Sequence, residues 1–282
     1  MRRSTICNVL ALLAILLWSS SAMAITLAPG FNTIEFVNWE NRIKDGVNVG
    51  TDGPIEVGDI FYGIARVQTI AGTTPPDPFN STSAPVHNLT AYFYTEVASL
   101  APASDPNNLI INFGVPGASD PNGIISDPEL ASGVVFKLFE DFATNISFAT
   151  EATSIATATD GALWMSLTLD GGYWWSEALG DPTGLTPGTF VGTSWFGLNT
   201  FFSSVGPLNF VNDPLEDLYD ISVQLYAQST IETNARVDGS VPAWSFTSDD
   251  PAVVATPEPA TMLIMGSGLL GMFAARRRKK NT

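Results

Sequence analysis

The chain has 282 residues, is 45% hydrophobic, 11% aromatic and only 14% charged, and carries a formal net charge of −16. That aromatic content excludes a disordered chain and supplies a packed core. Seven of the 12 bases lie at the two ends, so the stretch from Ile25 to Pro257 holds five bases against 27 acids, a net of −22 that argues against nucleic acid as a partner, since phosphate contact needs clustered cations.

Met1 to Ala24 reads as a signal peptide. Arg2 and Arg3 form its charged start, Val9 to Trp18 its apolar core, and Ala22-Met23-Ala24 a small-x-small cleavage site for signal peptidase. The apolar run of about ten residues is short of the ~20 that a spanning helix needs. Cys7 is the only cysteine and lies inside this segment, so the exported form relies on packing or bound ions rather than disulfides.

From residue 25 to 248 the chain shows short runs of alternating apolar residues separated by Gly, Pro, Asn and Asp. Strands are expected at Thr33–Val37, Ile60–Ile70, Val86–Val97, Leu109–Phe113 and Val134–Phe139. Leu163–Leu169 and Tyr173–Trp175 flank Asp170-Gly171-Gly172, which reads as a hairpin turn. Further strands are expected at Ile221–Ile231 and around Trp244 and Phe246, with Ala143–Thr159 as the helical exception. Thr73–Pro85 reads as an exposed loop, and the repeated Ala-Ser-Asp-Pro-Asn at 103 and 118 as two turns beside the Leu109 strand. Many short strands with turn chemistry between them predict an all-β body, a single β-sandwich or jelly roll.

Asp249 to Thr256 reads as a linker. Pro257-Glu258-Pro259 follows, then an uncharged run from Met262 to Ala275, then five bases, Arg276, Arg277, Arg278, Lys279 and Lys280. Fourteen helical residues reach about 21 Å, a short transmembrane helix beside a ~30 Å hydrocarbon core. The basic tail is expected to stay in the cytoplasm, with the body outside. In order and spacing these residues resemble the PEP-CTERM sorting signal. The resemblance implies recognition by an exosortase, a membrane-embedded cysteine protease-transpeptidase. That enzyme would sever the inner-membrane anchor and pass the body to the surface or matrix of a Gram-negative bacterium. It also implies a setting of exopolysaccharide, biofilm or floc.

The body's residues suggest three kinds of chemistry. Calcium would suit loop oxygens around Asp105, Asp120, Asp213 and Asp217, although none has the spacing of a known calcium loop. Carbohydrate would suit aromatic faces at Trp174, Trp175 and Trp195; as neighbours on a strand, Trp174 and Trp175 face opposite ways. Catalysis has the least support. His87 is the only histidine, there is no Gly-x-Ser-x-Gly and no phosphate loop, and among 27 acids some pair always looks suitable for glycoside hydrolysis. The expected role is structural or adhesive, at the cell surface or in exopolysaccharide, and non-enzymatic. A carbohydrate-binding module is the alternative, and a glycoside hydrolase a third reading.

Overall fold

A computed structural model describes residues 27–50, 53–71, 88–103, 108–141, 146–179, 191–211, 222–233 and 244–257. The strands are β1 (Gly30–Lys44), β2 (Val47–Asn48), β3 (Ile60–Ala71), β4 (Asn88–Pro102), β5 (Asn108–Gly114), β6 (Val134–Asp141), β7 (Ala162–Leu179), β8 (Val191–Ser203), β9 (Leu225–Thr233) and β10 (Phe246–Thr256). Two short helices interrupt them, α1 (Asp127–Ala131) and α2 (Glu151–Ala158).

Each long strand pairs antiparallel with its neighbour, and β10 returns to pair with β1 from Gly30↔Thr256 to Glu40↔Phe246. The sheet is therefore a closed barrel of eight staves. One stave is split. β6 fills the lower half of the gap between β4 and β7, and β5 fills the upper half. Between them residues 115–133 leave the wall, form α1, and come back. α1 starts at Ser126, whose backbone N–H and hydroxyl both meet the Glu129 carboxylate in a capping box.

Pleat alternation sorts the wall. On β1, Ile34, Phe36, Asn38 and Glu40 are buried inside, while Glu35 is exposed and Val37 and Trp39 are half-buried outside. The lower lumen is filled by Phe36, Phe93, Phe136, Trp164, Leu167, Phe196 and their neighbours. The upper lumen holds Ile55, Phe61, Val97, Ile111 and Phe246. A separate core lies outside the barrel, where Tyr62, Tyr92, Tyr94 and Phe139 are covered by Leu130 of α1, Ile155 of α2 and Ile125. An apolar lumen with exposed Glu35, Arg66, Gln68 and Asp249 on the wall is the reverse of a membrane-spanning barrel.

Three expectations are corrected. The body is a barrel and not a sandwich or jelly roll, because the first and last long strands pair with each other and leave no open edges. Asp249–Thr256 is not a linker; it is most of the strand that makes this closure. Asp170-Gly171-Gly172 is not a hairpin. β7 runs straight through, and the register against β8 jumps between Thr168 and Tyr173 as a bulge. Gly171 lies at φ +67°, and a Cβ on Gly172 would collide with the Gly197 carbonyl, so both glycines serve the bulge. The helical exception shrinks to α2, which Thr150 caps by accepting the Thr153 N–H at 3.1 Å. No helix among the described residues is long and apolar enough to cross a membrane, and the expected span at 262–275 lies outside them.

Candidate functional site

Two places gather polar and aromatic side chains. The first is a polar layer across the lumen. Asn38 and Glu40 reach in from β1, Ser248 and Asp250 from β10, with Thr95, Ser176, Ser194 and Ser229 completing the belt. Ser248 Oγ lies 2.9 Å from Glu40 Oε1, 3.1 Å from Asp250 Oδ2 and 3.0 Å from Asn38 Nδ2. The Asn38 amide also meets Asp250 Oδ2. One hydroxyl proton cannot serve two carboxylates, and Asn38 already donates to that hydroxyl. The count closes when Asp250 is itself protonated and donates to Ser248, which then donates to Glu40. The electrostatics agree. Burial pushes the Glu40 carboxyl up to about 7, with the Ser248 hydrogen bond pulling the other way. Burial, and then the charge of Glu40, hold Asp250 well above the usual carboxylate range.

Asn38 Oδ1 and Asp250 Oδ1 have no protein partner. The free space beside them is a cavity of about 20 Å³, room for about one water molecule. Aromatic rings close the layer on both sides, with Trp174 packed on Phe196 at 4.9 Å, and on Phe93 and Phe113 at 5.7 Å each. This carboxyl pair is sealed from any sugar, so it cannot act as the two carboxylates of a glycosidase.

The second place is a groove of about 770 Å³ on the outer wall, where β9, β10, β1 and β3 lie side by side. Trp39 and Phe148 stand in it with ring centroids 4.6 Å apart. Glu35, Arg66, Gln68, Thr230, Thr247 and Asp249 bring polar groups to the same space. Among the described cations, Arg42, Lys44 and Lys137 each pair with a carboxylate, at 3.2, 2.6 and 2.7 Å. Arg66 is exposed and pairs with no carboxylate among the described residues. A volume in the range of small-ligand sites, two aromatic rings and several planar polar groups fit a ligand with apolar ring faces and hydroxyls.

The residues expected to bind sugar divide. Trp174 is half-buried on the lumen side, its Nε1 donating to Ser194 Oγ at 3.1 Å and its ring packed on Phe93, Phe113 and Phe196, so little of it is left for a glycan. Trp175 and Trp195 lie outside, stacked on each other at 4.2 Å and 20°. Each ring therefore spends one face on the other, and the Trp175 Nε1 is buried without a partner. Asp120, expected as a calcium ligand, is an organiser of the excursion after β5. It accepts from Tyr92 OH at 2.7 Å and from the backbone N–H groups of Asn122, Ile124 and Ile125 at 3.0, 2.9 and 3.0 Å. Four donors leave little lone-pair capacity for a cation. Asp105, Asp213 and Asp217 lie outside the described residues, as does His87. Among the described residues no group of three or more His, Cys, Asp or Glu side chains is placed to hold a metal ion.

Neither the lumen layer nor the groove was expected from sequence. Strict alternation along β1, Asn38 and Glu40 in phase with Ile34 and Phe36, was the available signal for the lumen pair. Nothing local marked Trp39 and Phe148 as neighbours.

At the far end, β10 leads without a break into Pro257. Comparison with protein families matches the PEP-CTERM protein-sorting motif over residues 255–279. The chain carries an exosortase sorting motif. It is thus an exported protein that an exosortase processes at the membrane on its way to the surface. Pro257 sits at the edge of the barrel. Glu258, Pro259 and the basic run Arg276–Lys280 lie outside the described residues. A search of curated proteins gives no match.

Proposed function

We propose that the barrel is a non-catalytic structural or adhesive component of the cell surface or exopolysaccharide matrix, delivered by exosortase processing. The observation that carries this reading is the sorting motif, which starts within the strand that closes the barrel. A polar layer that leaves only about 20 Å³ free within the lumen supports a rigid building element over a carrier of small ligands. The body's −22 charge keeps it soluble and would let divalent cations such as Ca²⁺ bridge it to acidic matrix polymers. Intact-mass and terminal-peptide spectrometry on cell, matrix and medium fractions of the host tests delivery. A form that starts near Ile25, ends near Pro257 and is recovered outside the inner membrane is expected. A form that keeps residues 262–282 in the inner membrane would refute it. Chelation of the matrix fraction is expected to release the protein, and retention unchanged by chelation would remove the cation bridge.

A second reading, carbohydrate binding, is favoured by the outer groove. Its aromatic pair suits sugar rings, and its mixed acids, Arg66 and Gln68 suit hydroxyls. The body's negative field favours neutral over acidic glycans. The processed protein should be retarded in gels that contain a neutral polysaccharide. Trp39→Ala should abolish the retardation and Trp175→Ala should preserve it. Equal mobility in loaded and empty gels would rule the groove out.

A further inference from the structure

Antiparallel register sorts the strand ends between two rims. One rim carries the start of β1 and the end of β10, since Gly30 pairs with Thr256. It also carries the end of β3, the start of β4 and the end of β6, by Thr33↔Ala71 and Asn88↔Asp141. The start of β7 and the end of β8 join it through Glu140↔Ala162 and Met165↔Ser203. Both ends of the described body, Leu27 and Pro257, therefore lie at the same rim. They are stitched together there. Thr256 Oγ1 donates to the Ala28 carbonyl at 2.5 Å, and the Asn32 side chain bonds the backbone of Ala28 in both directions at 3.0 and 2.9 Å. Asn209 N–H adds a bond to the Ala255 carbonyl at 2.7 Å.

The same rim holds every strongly exposed phenylalanine of the described residues. Phe31 is 68% exposed, Phe201 52%, Phe202 43% and Phe210 63%. Phe31 lies opposite Ala255, and Phe210 follows Asn209, which bridges to Ala255 from the other side. Away from this rim, the exposed large apolar residues among those described are three valines and no aromatic residue: Val47 and Val57, beside the β1–β2 turn and the start of β3, and Val115 just past the end of β5. Aromatic side chains gathered around one end of a soluble barrel need a partner. The chain itself indicates which one. Five residues, Pro257 to Thr261, separate the rim from the uncharged run that starts at Met262. Fully extended they reach about 17 Å, so the rim stays within about that distance of the membrane until the sorting segment is cut.

We infer that the unprocessed barrel stands on this rim, with Phe31, Phe201, Phe202 and Phe210 seated in the headgroup layer of the bilayer. Phenylalanines at this depth add apolar burial to the single short anchor. The exosortase then meets its Pro-Glu-Pro substrate at the edge of a folded, hydrogen-bonded barrel, with no free linker between. The body's acidity makes zwitterionic lipid the appropriate surface.

The absence of other cysteines gives a direct test. In the full chain with Cys7→Ser, a fluorophore is placed at Ser204→Cys, on the phenylalanine rim, or at Val57→Cys, on the opposite one. The proteins are reconstituted in phosphatidylcholine vesicles that contain headgroup-region nitroxide lipid. Quenching at residue 204 is expected to exceed that at residue 57 at least threefold. Phe31→Ser with Phe210→Ser should cut quenching at 204 at least twofold while the unfolding midpoint stays unchanged. Equal quenching at the two rims would overturn the orientation. Unequal quenching that ignores the serine pair would overturn the phenylalanine contact. A second pair, Phe201→Ser with Phe202→Ser, provides the same reading if the first pair misfolds.

Discussion

Asp249 and Asp250 are neighbours on β10, and Glu35 and Glu40 lie five residues apart on β1, yet each pair is divided between two chemical worlds. Glu35 and Asp249 line an open groove of about 770 Å³. Glu40 and Asp250 line a sealed cavity of about 20 Å³. The residue types are nearly the same in both places: two carboxylates, aromatic rings, serines or threonines. Enclosure makes the difference. In the groove water solvates the acids, and they remain free to meet a ligand. In the lumen burial raises the affinity of both carboxyls for protons, and their hydrogen bonds are spent on each other through Ser248. A polar cluster read from sequence therefore has no function of its own until the side of the wall is known.

The comparison is broken most strongly from the inside. Trp174→Ala empties the centre of the aromatic packing that seals the lumen layer and should cost about 3–5 kcal/mol in urea unfolding. It should also admit water to the carboxyl pair, so that the two environments converge.

Next comes pH. Glu40 moves from 4.5 to about 7 on folding, so the folded chain holds a proton that the unfolded chain releases. Stability is then greatest below about pH 4.5 as far as this group is concerned, and falls as pH rises through 7. The loss is on the order of 3 kcal/mol, and Asp250 acts in the same direction. Denaturant titrations from pH 4.5 to 8.5 should show the fall, and Glu40→Gln should remove the Glu40 share of it, leaving the part due to Asp250. A wild-type profile that rises over this interval would refute the assignment.

A smaller effect is expected on the covered sector of the outer wall. Tyr92→Phe removes one of four donors from Asp120 and should cost about 1–3 kcal/mol, loosening the excursion after β5 first in hydrogen exchange. The smallest belongs to the groove. Arg66→Gln should shift stability by less than about 0.5 kcal/mol. Any loss of glycan retardation in that variant is then a binding effect.

Much of the fold was legible because alternation is a local property. Ile60–Ala71, Asn108–Gly114 and Val134–Asp141 appear nearly where the apolar pattern put them. The opposite facing of Trp174 and Trp175 also follows from the pleat alone, although only one of them remains outside. The hairpin at Asp170 failed for a local reason. Asp-Gly-Gly suits both a tight turn and a bulge, and only pairing with β8 over its whole length distinguishes them. The candidate sites were not legible. The groove needs Phe148, from the segment before α2, to arrive beside Trp39 of β1, and the lumen pair needs β1 and β10, more than 200 residues apart along the chain, to share a seam.

Residue order was enough to establish the route of this protein. A Pro-Glu-Pro sequence, an apolar run and a basic tail are contiguous segments, recognised as segments, and they need no fold to be read. Strand content was equally accessible, since alternation with turn residues is written into each run. Closure was a different matter. Whether eight such strands form a sandwich or a barrel depends on whether the last can bond the first, an event between distant ends of the chain. That one seam turned an apparent linker into a stave, placed one aspartate in water and its neighbour in the core, and brought the two ends of the described body to a single rim.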